Sequence, residues 1–129
     1  MREKYFKNDT IEMWIEDGVL FGVYAPYAVI TLEVAKINVA ERLKIADGKT
    51  YPVCVDFTRA KTASREARSY FSDGDGIRGI SAGAFLVKTE IEAFLLNTWL
   101  SLYKPKVPAR LFTEKEKALE WLEPFKRIN

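Results

Sequence analysis

Cys54 is the one thiol in this 129-residue sequence, and the sequence contains no histidine. Together these facts remove Ser-His and Cys-His nucleophilic couples, the commonest zinc ligand and the usual proton shuttle at neutral pH. A reactive thiolate needs exposure and an activating neighbour. Cys54 instead stands inside Tyr51-Pro52-Val53-Cys54-Val55-Asp56-Phe57, where it reads as a small buried hydrophobe. Ser-Lys or carboxylate chemistry, for instance with Asp56, stays formally open, but Asp56 has no second titratable group at a recognisable spacing and reads as readily as a loop-bonding carboxylate. No catalytic residue is expected.

Two further stretches resemble ligand motifs. Gly74-Asp75-Gly76-Ile77-Arg78-Gly79 matches G-x-G-x-x-G, but a dinucleotide site needs that motif after a strand and opening a helix. Here it follows a helical pattern and leads into a strand, so it reads as a turn. Asp73 and Asp75 begin like a calcium loop, yet Ile77 and Ala84 occupy later ligand positions. No metal and no cofactor are expected.

The remaining candidate is a cation cluster. Arg59, Lys61, Arg65 and Arg68 crowd one segment against the single Glu66, with the hydroxyls of Thr58, Thr62 and Ser64 between them. Cations, hydroxyls and helix-start N–H groups together can hold a phosphate or an acidic partner. The plainer reading is a solvated face with Ser64 or Thr62 as a helix N-cap.

The elements that must position this cluster follow from pattern. Residues 1–9 are polar and read as a flexible start, with residues 10–129 as a single domain. Ile11, Met13 and Ile15 alternate, Asp17-Gly18 is a type I′ hairpin signal, and Val19 to Tyr24 returns as a second strand. Thr31 is a candidate N-cap for a helix whose stripe is Leu32, Ala35, Val39, Leu43 and Ala46, ended by Asp47-Gly48. Tyr51 to Phe57 reads as a strand buried on both faces. Thr58 to Ser64 reads as a loop, Arg65 to Phe71 as a short helix, and the second half of Gly79 to Val87 as another buried strand. Thr89-Glu90-Ile91-Glu92 and Thr113-Glu114-Lys115-Glu116 are capping-box patterns opening two more helices. Between these helices, Ala109 to Phe112 is a short strand. The predicted class is α/β, a mixed sheet of about five strands with four helices packed against it.

The third helix, from Thr89 to about Tyr103, carries apolar residues around most of its circumference. A stripe of Ile91, Leu95, Thr98 and Leu102 suffices for a core, which leaves others needing a neighbouring element or a second copy. Leu96, Trp99, Leu100 and Tyr103 are the candidate self-association residues, with the aromatics as anchors.

A formal charge of +2, 48% hydrophobic and 13% aromatic residues describe a globular chain without the basic excess of a nucleic-acid binder. No stretch approaches the ~18 apolar residues of a membrane span. The charged start lacks the following apolar run of a signal peptide. A lone cysteine fits a reducing compartment, so a cytoplasmic location is expected.

The element order, the Trp14-Ile15-Glu16-Asp17-Gly18 hairpin, the Tyr51-to-Asp56 strand and Ser64-Arg65-Glu66-Ala67-Arg68-Ser69-Tyr70-Phe71 together resemble the STAS group. Pro108-Ala109-Arg110-Leu111-Phe112-Thr113 and Ala118-Leu119-Glu120-Trp121-Leu122 extend the likeness. These are bacterial anti-anti-sigma-factor-like (sporulation AA-like) regulators, and the chain is most similar to uncharacterised members of Bacteroidetes type. The resemblance implies a STAS-like mixed sheet and a non-catalytic regulatory module. Such a module binds a protein partner through the loop and helix after the central strand. In the phospho-switch branch that helix opens with Asp-Ser-Ser-Gly, and a serine is the phosphate acceptor. Asp56-Phe57-Thr58 matches the strand end, but Arg65 and Glu66 stand at the acceptor positions, so the surface carries over and the acceptor does not. An arginine there suits binding an acidic group rather than becoming one. The alternative is a small-molecule or lipid-binding carrier, with a pocket lined by residues such as Phe85, Phe94 and Trp99.

Overall fold

Tyr51–Asp56 forms a strand deep inside a six-stranded sheet, as its run of Val53, Cys54 and Val55 predicts. The computed structural model describes residues 1–126; the last three positions of the expected domain lie outside the described residues. In chain order the strands are β1 (Glu3–Lys7), β2 (Ile11–Glu16), β3 (Val19–Tyr24), β4 (Val29–Ile30), β5 (Tyr51–Asp56), β6 (Thr62–Ala63), β7 (Ile80–Leu86) and β8 (Ala109–Phe112). The helices are α1 (Leu32–Ala46), α2 (Arg65–Phe71), α3 (Glu90–Tyr103) and α4 (Lys115–Leu122), with short 3-10 turns at Gly74–Gly76 and Glu123–Phe125. The main sheet runs β1-β2-β3-β5-β7-β8, and β4 and β6 form a separate two-stranded sheet. β1, β2 and β3 pair antiparallel; β3, β5, β7 and β8 pair parallel. Pro52, which has no N–H to give, falls where the β5–β7 register shifts between Tyr51 and Pro52.

Local signals set most boundaries. Asp17 and Gly18 both take positive φ (51° and 76°), as the β2–β3 turn requires. The Thr31 side chain accepts the Val34 N–H at the start of α1, and Asp47 ends that helix in the left-handed region. The Thr89 side chain accepts from the Glu92 N–H at the start of α3. The second capping box does not form: Glu114, not Thr113, sits at the N-cap of α4, without a side-chain cap bond.

The two sheet faces carry separate cores. Met13, Leu20 and Val53 pack with Ala35, Ile45 and Ala67 of α1 and α2 on one face. Trp14, Phe21, Cys54 and Ala84 pack with Ala118 and Leu122 of α4 on the other. This alternation of β5 is what a strand covered on both sides demands. Burial pushes the Cys54 thiol up to about 11, which suits packing and not nucleophilic attack.

Three expectations change. The main sheet has six strands rather than about five, because Glu3–Lys7, read as part of a flexible start, pairs with β2 as an edge strand. The segment from Thr58 to Ser64, read as a loop, contains β6. The stripe expected to bury α3 faces outward: Ile91 is 73% and Leu102 79% exposed, with Leu95 exposed as well. Ala93 is the buried residue of α3 instead. Asn97 fixes that orientation, because its amide both donates to the Leu111 carbonyl (3.0 Å) and accepts from the Leu111 N–H (2.8 Å).

Candidate functional site

The segment leaving β5 is built by short-range hydrogen bonds. Asp56 Oδ1 accepts from the Thr58 N–H (2.8 Å) and the Thr58 hydroxyl (2.6 Å), an Asx-turn that occupies both residues. Ser64 Oγ accepts the Ala67 N–H (3.1 Å), making Ser64 the N-cap of α2. Arg68 folds back to donate to the Ala63 carbonyl (2.8 Å). Arg59, Lys61, Thr62 and Arg65 stay exposed. Among the described residues no carboxylate forms an ion pair with Arg59, Lys61, Arg65 or Arg68.

The β4–β6 sheet adds two residues that the cation cluster alone does not suggest. The Tyr27 N–H donates to the Arg59 carbonyl (2.8 Å), and the Lys61 N–H to the Ala28 carbonyl (2.8 Å). Val29 and Ile30 pair with Thr62 and Ala63. Ile30 points into the core at 1% exposure, whereas Val29 is 49% and Tyr27 81% exposed. Tyr27 also holds φ at +61°, a conformation that costs a non-glycine residue about 1–3 kcal/mol. The surface is therefore apolar and cationic together, with an aromatic side chain presented by strained backbone. A positive-φ tyrosine has no compositional signature, so pattern alone does not disclose this surface.

A second feature lies on the same sheet face, beneath α3. A cavity of about 270 Å3 opens between α3, α2 and the strands. Gly22 and Gly83 form part of its floor, and the Phe85 ring fills the place that a side chain at Gly83 would take. Leu96, Trp99, Leu100 and Tyr103 line its roof, with Trp99 and Tyr103 stacked at 4.6 Å. The four residues expected to mediate self-association thus line the cavity, and Leu96, Trp99 and Tyr103 are also exposed, as are Ile91, Phe94 and Leu102. Of the expected pocket residues, Phe85 and Trp99 line the space and Phe94 does not.

Arg42 marks one wall. It is 7% exposed, yet donates to the carbonyls of Arg78 (2.8 Å), Asp75 (3.1 Å) and Gly76 (3.2 Å). Burial is the main force lowering its pKa, to about 10. Its role explains the glycine-rich stretch: that loop is a set of carbonyls wrapped on a guanidinium, not a phosphate cradle. Gly76 is required by packing, because a Cβ there would lie 1.9 Å from the Tyr70 carbonyl oxygen. Asp73 hydrogen-bonds the Gly74 N–H and Lys106. Among the described residues no group of acidic or cysteine side chains is arranged to hold a metal ion.

The sheet order and the placement of the helices give an α/β fold of the SpoIIAA-like, or STAS-like, type. A crystal structure of an uncharacterised DUF3478-family protein with a SpoIIAA-like fold, from Shewanella loihica PV-4, is similar over 95% of each chain. The TM-score is 0.60 and the identity 14%. The chain itself belongs to DUF7793, a domain family of unknown function, whose family model matches residues 13–126. No curated protein matches the sequence. Among the described residues no helix is long and apolar enough to cross a membrane.

Proposed function

We propose that this protein is a non-catalytic regulatory module that docks an acidic segment of a protein partner. The docking surface is formed by Tyr27, Val29, Arg59, Lys61, Thr62 and Arg65. The observation that carries this reading is the β4–β6 pairing, which sets an exposed, strained tyrosine beside cations that pair with no carboxylate among the described residues. Tyrosine and arginine dominate binding energy at protein interfaces, because both give large contact area and directional hydrogen bonds. Thr58 and Ser64 serve the surface indirectly, by holding the turn and the start of α2. The SpoIIAA-like fold supports the reading, since that class is generally regulatory rather than catalytic. The absence of histidine and the buried Cys54 agree with it.

Affinity capture from the cells that express the protein tests the proposal. Wild type is compared with Arg59→Glu/Arg65→Glu and with Tyr27→Ala. A specific partner retained by wild type and lost from both folded variants, with binding weakened by salt, is the expected result. A partner set that both variants retain unchanged contradicts the proposal.

A further inference from the structure

We infer that the cavity beneath α3 is a binding site for a single-chain anionic amphiphile of the fatty-acid type. Three observations converge on this ligand class. First, the walls are almost wholly apolar side chains. An aromatic row of Tyr24, Phe57 and Phe85 crosses the floor, with ring centroids 5.0 and 6.0 Å apart. Second, the volume of about 270 Å3 lies just below the range of small-molecule sites, which run from ~300 to 1,000 Å3. It suits one acyl chain and not two. Third, among the described residues the charged ones that line it are Arg42, Arg68 and Lys106, with no aspartate or glutamate.

Those cations have a common bias. Arg42 is buried and its side-chain hydrogen bonds go to carbonyls rather than to a carboxylate, although the nearby Asp75 offsets part of its charge. Arg68 bonds only a carbonyl among the described residues. Lys106 is shared with Asp73 at 2.8 Å, which reduces but does not remove its contribution. A carboxylate at this wall gains charge-assisted attraction, while its chain covers apolar surface that is otherwise wet. Ser72 and Ile77 lie in the segment that enters β7, Arg42 bonds that segment from α1, and Lys106, just before β8, pairs with Asp73 in it. The head group therefore lies there and the chain runs toward Phe57 and Phe85. α3 forms the roof while holding the rest of the fold chiefly through Ala93 and the Asn97–Leu111 pair. Arg59, Lys61 and Arg65 do not line this cavity, so the site stands independently of the docking surface.

The test uses the delipidated full chain and cis-parinaric acid, a fluorescent fatty acid, with palmitate and methyl palmitate as competitors. Gly22→Val extends a side chain from the floor. It is compatible with the backbone, because a Cβ at Gly22 meets its neighbours at ordinary distances of 3.4–3.8 Å. Gly22→Ala is the milder companion if valine perturbs the fold. Saturable binding of one equivalent is expected, displaced by palmitate about tenfold better than by the uncharged ester. The glycine variants should weaken binding while keeping native circular dichroism. Lys106→Gln should weaken palmitate and leave the ester unchanged. No saturable binding to wild type, equal binding by folded Gly22→Val, or equal displacement by acid and ester would overturn the assignment.

Discussion

The side-chain amide of Asn97 closes on both backbone groups of Leu111, donating at 3.0 Å and accepting at 2.8 Å. Leu111 lies on β8, the edge strand of the sheet, so these backbone groups have no further strand to pair with. One polar residue on an apolar helix thereby sets which face of α3 turns inward. Asn97→Ala removes both bonds, and each is worth about 0.5–1.5 kcal/mol net. The variant should lose about 1–3 kcal/mol in urea unfolding, and its Leu111 amide should exchange hydrogen faster than in wild type. Unchanged exchange at Leu111 would mean that the pair does not hold the edge.

Gly76 offers a sharper test of the loop. An alanine Cβ there would sit 1.9 Å from the Tyr70 carbonyl oxygen and 2.8 Å from Phe71 Cα, both backbone atoms that have little freedom to move. Gly76→Ala should therefore destabilise by more than about 3 kcal/mol, in the range of strongly overpacked sites. Gly74→Ala, whose added Cβ meets nothing within 4 Å, carries only the strain of a positive φ of 49° and should cost about 1–2 kcal/mol. Thermal melts of the two variants, compared side by side, measure the difference.

Tyr24 contributes a loss of stability at alkaline pH. Burial raises its pKa to about 12 from an ordinary value of 10.0, against the Asn38 hydrogen bond, which lowers it. Between those values the folded state keeps a proton that the unfolded chain has released. The contribution is whole below pH 10.0 and is lost as pH rises through about 12, a fall on the order of 2–3 kcal/mol. Arg42 acts in the opposite direction, since its lowered pKa makes the unfolded state the stronger proton binder above about pH 10. Tyr24→Phe should lose about 1 kcal/mol at neutral pH with the Asn38 bond, yet decline less than wild type between pH 10 and 12. Parallel declines of the two proteins would contradict the assignment.

Tyr27 should separate stability from function. Its φ of +61° is strained for tyrosine and its side chain is 81% exposed. Replacing it by glycine relieves the strain and removes almost no packing. Tyr27→Gly should be as stable as wild type, or more stable by about 1 kcal/mol, while binding its partner at least ~30-fold more weakly, as for an interface hot spot. Denaturant unfolding and partner titration on the same preparation read both effects.

How far the sequence disclosed these features depended on the range of the interaction. Asp17-Gly18, Thr31, Thr89 and the β5 run act within a few residues, and each appeared in the fold where its chemistry requires. The pairing of Val29 with Thr62 joins short segments far apart in sequence, so neither looked like a strand. The outward turn of Ile91, Leu95 and Leu102 follows from one amide finding one edge strand, against the more apolar stripe that periodicity favours. Arg42 lay on a helix between apolar positions, and only the folded loop reveals the three carbonyls that it serves. The cations from Arg59 to Arg68 were legible as a cluster. Their apolar complement, Tyr27 and Val29, was not.

The most direct test of the docking surface places a photocrosslinking amino acid at position 27 in living cells, with position 36 on the exposed side of α1 as a control. The reading predicts a discrete adduct with another protein at position 27, absent at position 36 and lost when Arg59→Glu/Arg65→Glu is added. No adduct at position 27, an adduct whose mass is two copies of this chain, or one that survives the charge reversal would contradict it.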